Sequence, residues 1–374
     1  MQFRPGRVLA VAVLCALVAG CGGSHTSSIT PNPTGGTLKP QLNGGTGSLA
    51  LPTLYVSGQG SVFAYDLTAS GNTAPVNKTN GYYYQAGGLN ASIAGIATNA
   101  PGDLVVLQNY GSGTSQSCQL VYIPARTNTS PNGAQNTNCN NDNGQIQGIG
   151  VGVTFTGQQS LGNPDDIDVL MHYSSSNTVL GCDGSTTDQY EVDRYTVAAG
   201  PSLTPNTCNT LPGQRDFISG STNGAYFVDQ TSGGFMERYA TGGGSPTNSD
   251  APGSIPAPGP LAVSANLTTG VGYRVVASNT GGITTIYTFK NSGAGFTFTH
   301  ALGTFTNPVA ALAVDNNGTL YVGVNQANGV TKVKVYGPTK TQATDPDRIL
   351  NNPVRRPNPA TPPAAQITGI AIAQ

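Results

Sequence analysis

A recurring unit limits what this chain can fold into. It is clearest in NPVAALAVDNNGTLYVGVNQANGVTKVKVYGP, residues 307–338. An apolar strand A (309–314) runs into a polar turn, Asp315-Asn316-Asn317-Gly318. Strand B (320–324) and strand C (330–336) follow. In VTKVKVYG, valines alternate with Lys332 and Lys334, the period-two pattern of a strand with one buried face. The same A-turn-B unit returns in SIAGIATNAPGDLVVLQNY, in QIQGIGVGV followed later by IDVLMHY, in RDFISGSTNGAYFVDQ and in GPLAVSANLTTGVGYRVVASN. Strand B starts near Leu54, Leu104, Asp168, Ala225, Tyr273 and Leu320, at intervals of 47 to 64 residues. Strand A starts near Ile93, Ile146, Phe217, Leu261, Val309 and Ile367. The two series are offset. TLYVSG has no A strand before it, and ITGIAIAQ has no B strand after it.

These complementary halves predict an all-β fold, a six-bladed β-propeller closed by the C-terminal strand pairing into the N-terminal blade. Ring closure removes exposed sheet edges. Composition agrees: 51 Gly, 26 Pro and only 9% charged residues suit short strands and turns rather than helices. The same register places Cys118 and Cys182 on third strands, and Cys139 and Cys208 after fourth strands. It predicts the intrablade disulfides Cys118–Cys139 and Cys182–Cys208. Loops of this length stabilise by about 3 kcal/mol each in the chain-entropy model.

The segments GIATNAPGDLVVLQN, ALAVDNNGTLYVGV and GIAIAQ resemble NHL-type repeats and, more loosely, gluconolactonase-like propellers. The resemblance spans most of residues 50–374. It implies a propeller that binds proteins, peptides or other ligands. The gluconolactonase-like group would add a divalent metal held by Glu, Asn and Asp. This sequence departs from that group, because most A-strand starts lack an acidic residue. Fold resemblance fixes no function by itself. With no Trp, the tryptophan-rich quinoprotein repeats are excluded.

The first residues, MQFRPGRVLAVAVLCALVAGCGGS, carry Arg4 and Arg7 and then an apolar stretch from Val8 to Gly20. That stretch has the length of a signal-peptide core and is too short to span a bilayer. Val18-Ala19-Gly20-Cys21 resembles the bacterial lipobox, which implies lipidation of Cys21. Gly22 stands where an Asp would retain a lipoprotein in the inner membrane, so the resemblance implies the outer membrane in a two-membrane host. Residues 1–20 read as the signal peptide and 21–49, rich in Gly, Ser, Thr and Pro, as a flexible tether. Residues 50–374 form the propeller domain.

With 16 Lys and Arg against 17 Asp and Glu, the chain lacks the basic footprint of a nucleic-acid binder. In a propeller the residues entering strand A line a channel mouth. The candidate binding residues there are Gln145, Gln147, Arg215, Asp216, Asn307 and Gln366, with Ser92 beside them. Asp165, Asp166, Asp168 and His172 cluster in NPDDIDVLMHY, and a solvated turn with one strand face explains them. The histidines, His25, His172 and His300, accompany no G-x-S-x-G motif. No catalytic residue, metal ligand or cofactor is assigned. The expected function is an exported, lipid-anchored propeller in the cell envelope, monomeric, binding a protein or small molecule without catalysis. The alternative is a diverged gluconolactonase-like metal-dependent hydrolase.

Overall fold

A computed structural model of the chain describes residues 41–42, 53–58, 60–76, 83–86, 91–99, 102–110, 117–124, 135–139, 149–156, 166–173, 189–197, 203–220, 226–230, 235–239, 255, 258–266, 271–280, 283–291, 296–327, 329–354 and 366–373. The named elements are β-strands. The chain opens with β1 (Gln41–Leu42), β2 (Thr53–Gly58), β3 (Ser61–Asp66) and β4 (Tyr84–Gln85). The second sheet is β5 (Ser92–Thr98), β6 (Leu104–Tyr110), β7 (Ser117–Ile123) and β8 (Gln135–Asn138). The third holds β9 (Ile149–Thr156), β10 (Asp166–Tyr173), β11 (Gln189–Val197) and β12 (Leu203–Leu211). Next come β13 (Ile218–Gly220), β14 (Tyr226–Gln230) and β15 (Phe235–Tyr239). The fifth sheet is β16 (Pro258–Asn266), β17 (Val271–Thr280), β18 (Ile283–Asn291) and β19 (Phe296–Phe305). The sixth is β20 (Val309–Val314), β21 (Leu320–Asn325), β22 (Thr331–Tyr336) and β23 (Arg348–Asn351), and β24 (Gly369–Ala373) ends the chain.

The strands within each sheet pair antiparallel, and the sixth sheet, β20-β21-β22-β23, is a simple meander. The period-two reading of VTKVKVYG holds: Val333 and Val335 are buried, while Lys332 and Lys334 are half-buried on the other face. Apolar clusters fill the spaces between successive sheets. Leu54, Val56 and Phe63 of the first sheet pack on Ala311, Tyr321 and Val333 of the sixth. Leu170 and Val192 pack on Ile218 and Val228. Burial of this kind, at roughly 25 cal/mol per Å², is the main term holding one sheet to the next.

The expected blade count is corrected. The fold is an all-β propeller with five blades of four or more strands, not six. The remaining sheet, β13-β14-β15, has three strands among the described residues. Residues 240–254, which follow it, are Gly-, Ser- and Pro-rich and carry no alternating apolar run.

Closure by the C-terminal strand is also corrected. The first sheet is not a four-stranded blade completed by that strand alone. It has five strands in the order β1-β4-β3-β2-β24, with β1 drawn from the expected tether. In it Val56 lies opposite Ile370 and Leu54 opposite Ile372. The junction with the sixth sheet uses other bonds too. Gly71 N donates to Ile349 O (2.7 Å), and Asn351 N donates to Gly71 O (2.7 Å). Asn325 Nδ2 donates to Ile367 O (3.1 Å), while its Oδ1 accepts from Ile367 N (2.8 Å). Asn109 makes the equivalent clamp on Gly150, between the second and third sheets. The expected signal peptide and the rest of the tether lie outside the described residues.

Candidate functional site

The innermost strands β24, β5, β9, β13, β16 and β20 neighbour one another around a central channel. They run in the same sense. Gly369 lies against Ile96, and three residues further along β24 Ile372 O accepts from Thr98 Oγ1 (2.7 Å). Gly152 lies against Ile218, and Thr154 Oγ1 accepts from Gly220 N (2.7 Å). All inner strands therefore start at one mouth of the channel and finish, at the A–B turns, at the other. Close approach demands small residues. A Cβ on Gly220 would lie 2.2 Å from Phe155 O.

A cavity of about 220 Å³ occupies the A–B-turn end. Apolar residues such as Ile218, Leu261 and Leu312 form part of its wall, and Thr98, Thr154, Ser219, Ser264, Asp315 and Asn316 supply polar groups. These groups also join neighbouring strands. Ser219 Oγ accepts from Val263 N (3.0 Å), and Ser264 Oγ is hydrogen-bonded to Asn316 Oδ1. Such bonds satisfy backbone groups at the inner sheet edges and hold the rim in one geometry.

Two A–B turns share one construction. Asn99 Oδ1 accepts from Asp103 N (2.7 Å), and Gly102 N donates to Asn99 O (3.0 Å). Asp315 Oδ1 accepts from Asn317 N (2.9 Å) and Thr319 N (2.7 Å), and Gly318 N donates to Asp315 O (3.0 Å). Gly102 and Gly318 have φ of 90° and 83°, the left-handed region where glycine is unstrained. An Asn or Asp side chain thus caps each turn, and Asp315 does so within the polar stretch that the sequence reads as a turn, Asp315-Asn316-Asn317-Gly318.

Of the residues singled out at strand-A starts, the described ones belong to the opposite mouth. Gln145 and Gln147 lie outside the described residues. Arg215 is fully buried, and its Nη1 donates to Gln214 O at 3.5 Å. Asp216 is half-buried and accepts from Gln214 Nε2 (3.1 Å). Asn307 is half-buried, with Nδ2 donating to Thr306 Oγ1 (3.5 Å), while Gln366 and Ser92 are exposed. None of the described ones lines the cavity.

The Asp/His cluster of β10 is dispersed, and Asp165 lies outside the described residues. Asp168 is fully buried and paired twice with Arg194, Nε to Oδ1 and Nη2 to Oδ2, both at 2.7 Å. Thr156 Oγ1 donates to Asp168 Oδ2 (2.9 Å). Burial pushes the Asp168 carboxyl above its ordinary range, against the opposing pull of Arg194. Asp166 accepts from Thr196 Oγ1 (2.9 Å), and His172 stacks on Tyr190 with ring centroids 4.4 Å apart. These contacts organise the sheet.

Cys118 and Cys139 form the expected disulfide, both buried. Cys208 is also disulfide-bonded. It lies within β12 rather than after it, and Cys182 is outside the described residues. The third strand of that sheet is β11, Gln189–Val197.

Sequence reasoning missed the Ser and Thr rim. Its signal was local: a hydroxyl residue near the end of an A strand, as in Thr98 and Thr154, just before the turn.

No protein-family model matches the sequence, and no curated protein matches it. Among solved structures, the chain is similar to a protein of unknown function from Bacteroides caccae. The two are 13% identical over 86% of this chain and 99% of that one, with a TM-score of 0.43. It is also similar to a functionally unknown protein from Desulfotomaculum acetoxidans, 14% identical over 77% of each chain, with a TM-score of 0.42. Similarity at this level carries no functional argument.

Proposed function

We propose that this chain is an exported, lipid-anchored propeller that binds a ligand or partner without catalysis. The observation that carries the binding reading is the rim at the A–B-turn mouth. Its hydroxyl and amide groups are held in place by bonds between neighbouring inner strands. A preorganised ring of groups that do not titrate near neutrality suits recognition better than proton transfer. The strand-A mouth, with Gln145, Gln147, Asp216, Asn307 and Gln366, is a second contact surface in this reading, suited to a protein partner; Arg215, fully buried, takes no part in it. Anchoring rests on Arg4, Arg7, the apolar stretch to Gly20 and Cys21. It places residues 1–20 as a cleaved signal, 21–49 as a tether and 50–374 as the propeller. The NHL-type likeness of the repeats supports a monomeric binding module in the cell envelope, with no nucleic-acid partner.

The metal-dependent alternative requires several carboxylates or amides converging on one ion. Asp315 is the carboxylate residue among the described lining residues, and its Oδ1 already accepts two backbone N–H groups. That donor set does not fit a divalent cage.

Two measurements on the full chain test the reading. Metabolic labelling with palmitate should mark the protein, and Cys21→Ala should abolish the label and release the protein from membranes. Continued membrane association of the unlabelled variant would sink the anchor. Elemental analysis should find no stoichiometric metal, whereas one bound Ca²⁺ or Zn²⁺ per chain would restore the hydrolase alternative.

A further inference from the structure

The two matching turns separate what the fold needs from what it does not. At Asn99 a neutral amide oxygen caps the A–B turn, and at Asp315 a carboxylate oxygen does the same work. The turn needs an acceptor, not a charge. Asp315 nevertheless puts a negative charge in the cavity wall, where the described lining is otherwise Ser, Thr, Asn, Gly and apolar residues. Asn316 and Ser264 lie beside it, joined by their own hydrogen bond. Leu261 and Leu312, whose side chains belong to the apolar clusters between sheets, are among the residues lining the same region. At about 220 Å³ the cavity is smaller than the roughly 300–1,000 Å³ of drug-sized sites.

We propose that the A–B-turn mouth binds a small primary alkylammonium ion. The ammonium group sits against the Asp315 carboxylate and the Ser264 hydroxyl, and the short alkyl body lies on Leu261 and Leu312. An anion is disfavoured beside Asp315, and a neutral alcohol gains the apolar contact but not the charge-assisted hydrogen bond. This rests on the binding reading above and names its ligand class.

The test uses the full chain in detergent with three isosteric probes: butylammonium, 1-butanol and butyrate. Titration followed by backbone NMR at residues 98–99, 264 and 315–316 should show butylammonium binding at least tenfold tighter than 1-butanol, with butyrate weakest. Asp315→Asn keeps the turn acceptor, as Asn99 does. It should lower butylammonium affinity about tenfold and leave 1-butanol and the melting temperature unchanged. Should that variant fail to fold, salt decides on the native chain. Raising NaCl to about 0.5 M should weaken butylammonium but not 1-butanol, since the charge contact is partly screened. Equal affinity for butylammonium and 1-butanol, unmoved by Asp315→Asn or by salt, would overturn the ammonium proposal and leave the binding reading intact. No response to any probe at those residues would remove both.

Discussion

Replacing Arg194 with Met keeps much of the buried stem and removes the cation. Asp168, fully buried, then keeps only the Thr156 hydroxyl of its three close polar partners. Breaking a buried pair from one side leaves a desolvated charge and costs about 3–5 kcal/mol. With a urea m-value of about 3 kcal/mol/M, the midpoint should fall by roughly 1–1.7 M. The double variant Asp168→Leu/Arg194→Met removes both charges and should recover most of that loss. Acid supplies an internal control. The folded-state pKa of Asp168 is already raised by burial. The unfolded chain therefore ionises first as pH rises, and this group's contribution to stability declines from the ordinary carboxylate value up through the folded one. Loss of Arg194 raises the folded value further and extends the decline to higher pH. The penalty of Arg194→Met should thus be largest near pH 7 and shrink towards pH 4, measured by urea unfolding across that interval. A penalty below about 1 kcal/mol, or one unchanged between pH 4 and pH 7, would refute the reasoning.

Asn325→Ala removes both bonds to Ile367 and should cost about 1–3 kcal/mol, with faster amide exchange at Ile367. Asn325→Asp keeps the acceptor for Ile367 N but turns a carboxylate oxygen onto Ile367 O, and should cost at least as much. Gly220→Ala drives a Cβ into Phe155 O and should destabilise by roughly 1–3 kcal/mol, visible as a lower melting temperature.

The A-turn-B units were legible because their information is local. Leu104 and Leu320 begin the second strands where the apolar alternation resumes. The outer strands were harder, since insertions shift them: β11 begins at Gln189, and the A and B series that set the expected count say nothing of how many outer strands each sheet carries, three strands being described for β13-β14-β15. Gln41–Leu42 sits in a segment whose composition reads as tether, and only its partner Tyr84–Gln85 gives it a strand. The paired clamps of Asn109 and Asn325 each reach across to the next sheet, which no local pattern reveals. The cavity lies at the A–B-turn mouth, while attention to strand-A starts favoured the other. Which mouth holds a ligand depends on how all the inner strands converge, a property of the ring and not of one repeat.

The most direct measurement is backbone NMR mapping of butylammonium at saturation on the full chain. The account predicts perturbations confined to Thr98, Asn99, Ser264, Asp315 and Asn316. Perturbations centred instead on Arg215, Asp216, Asn307 and Gln366 would contradict it.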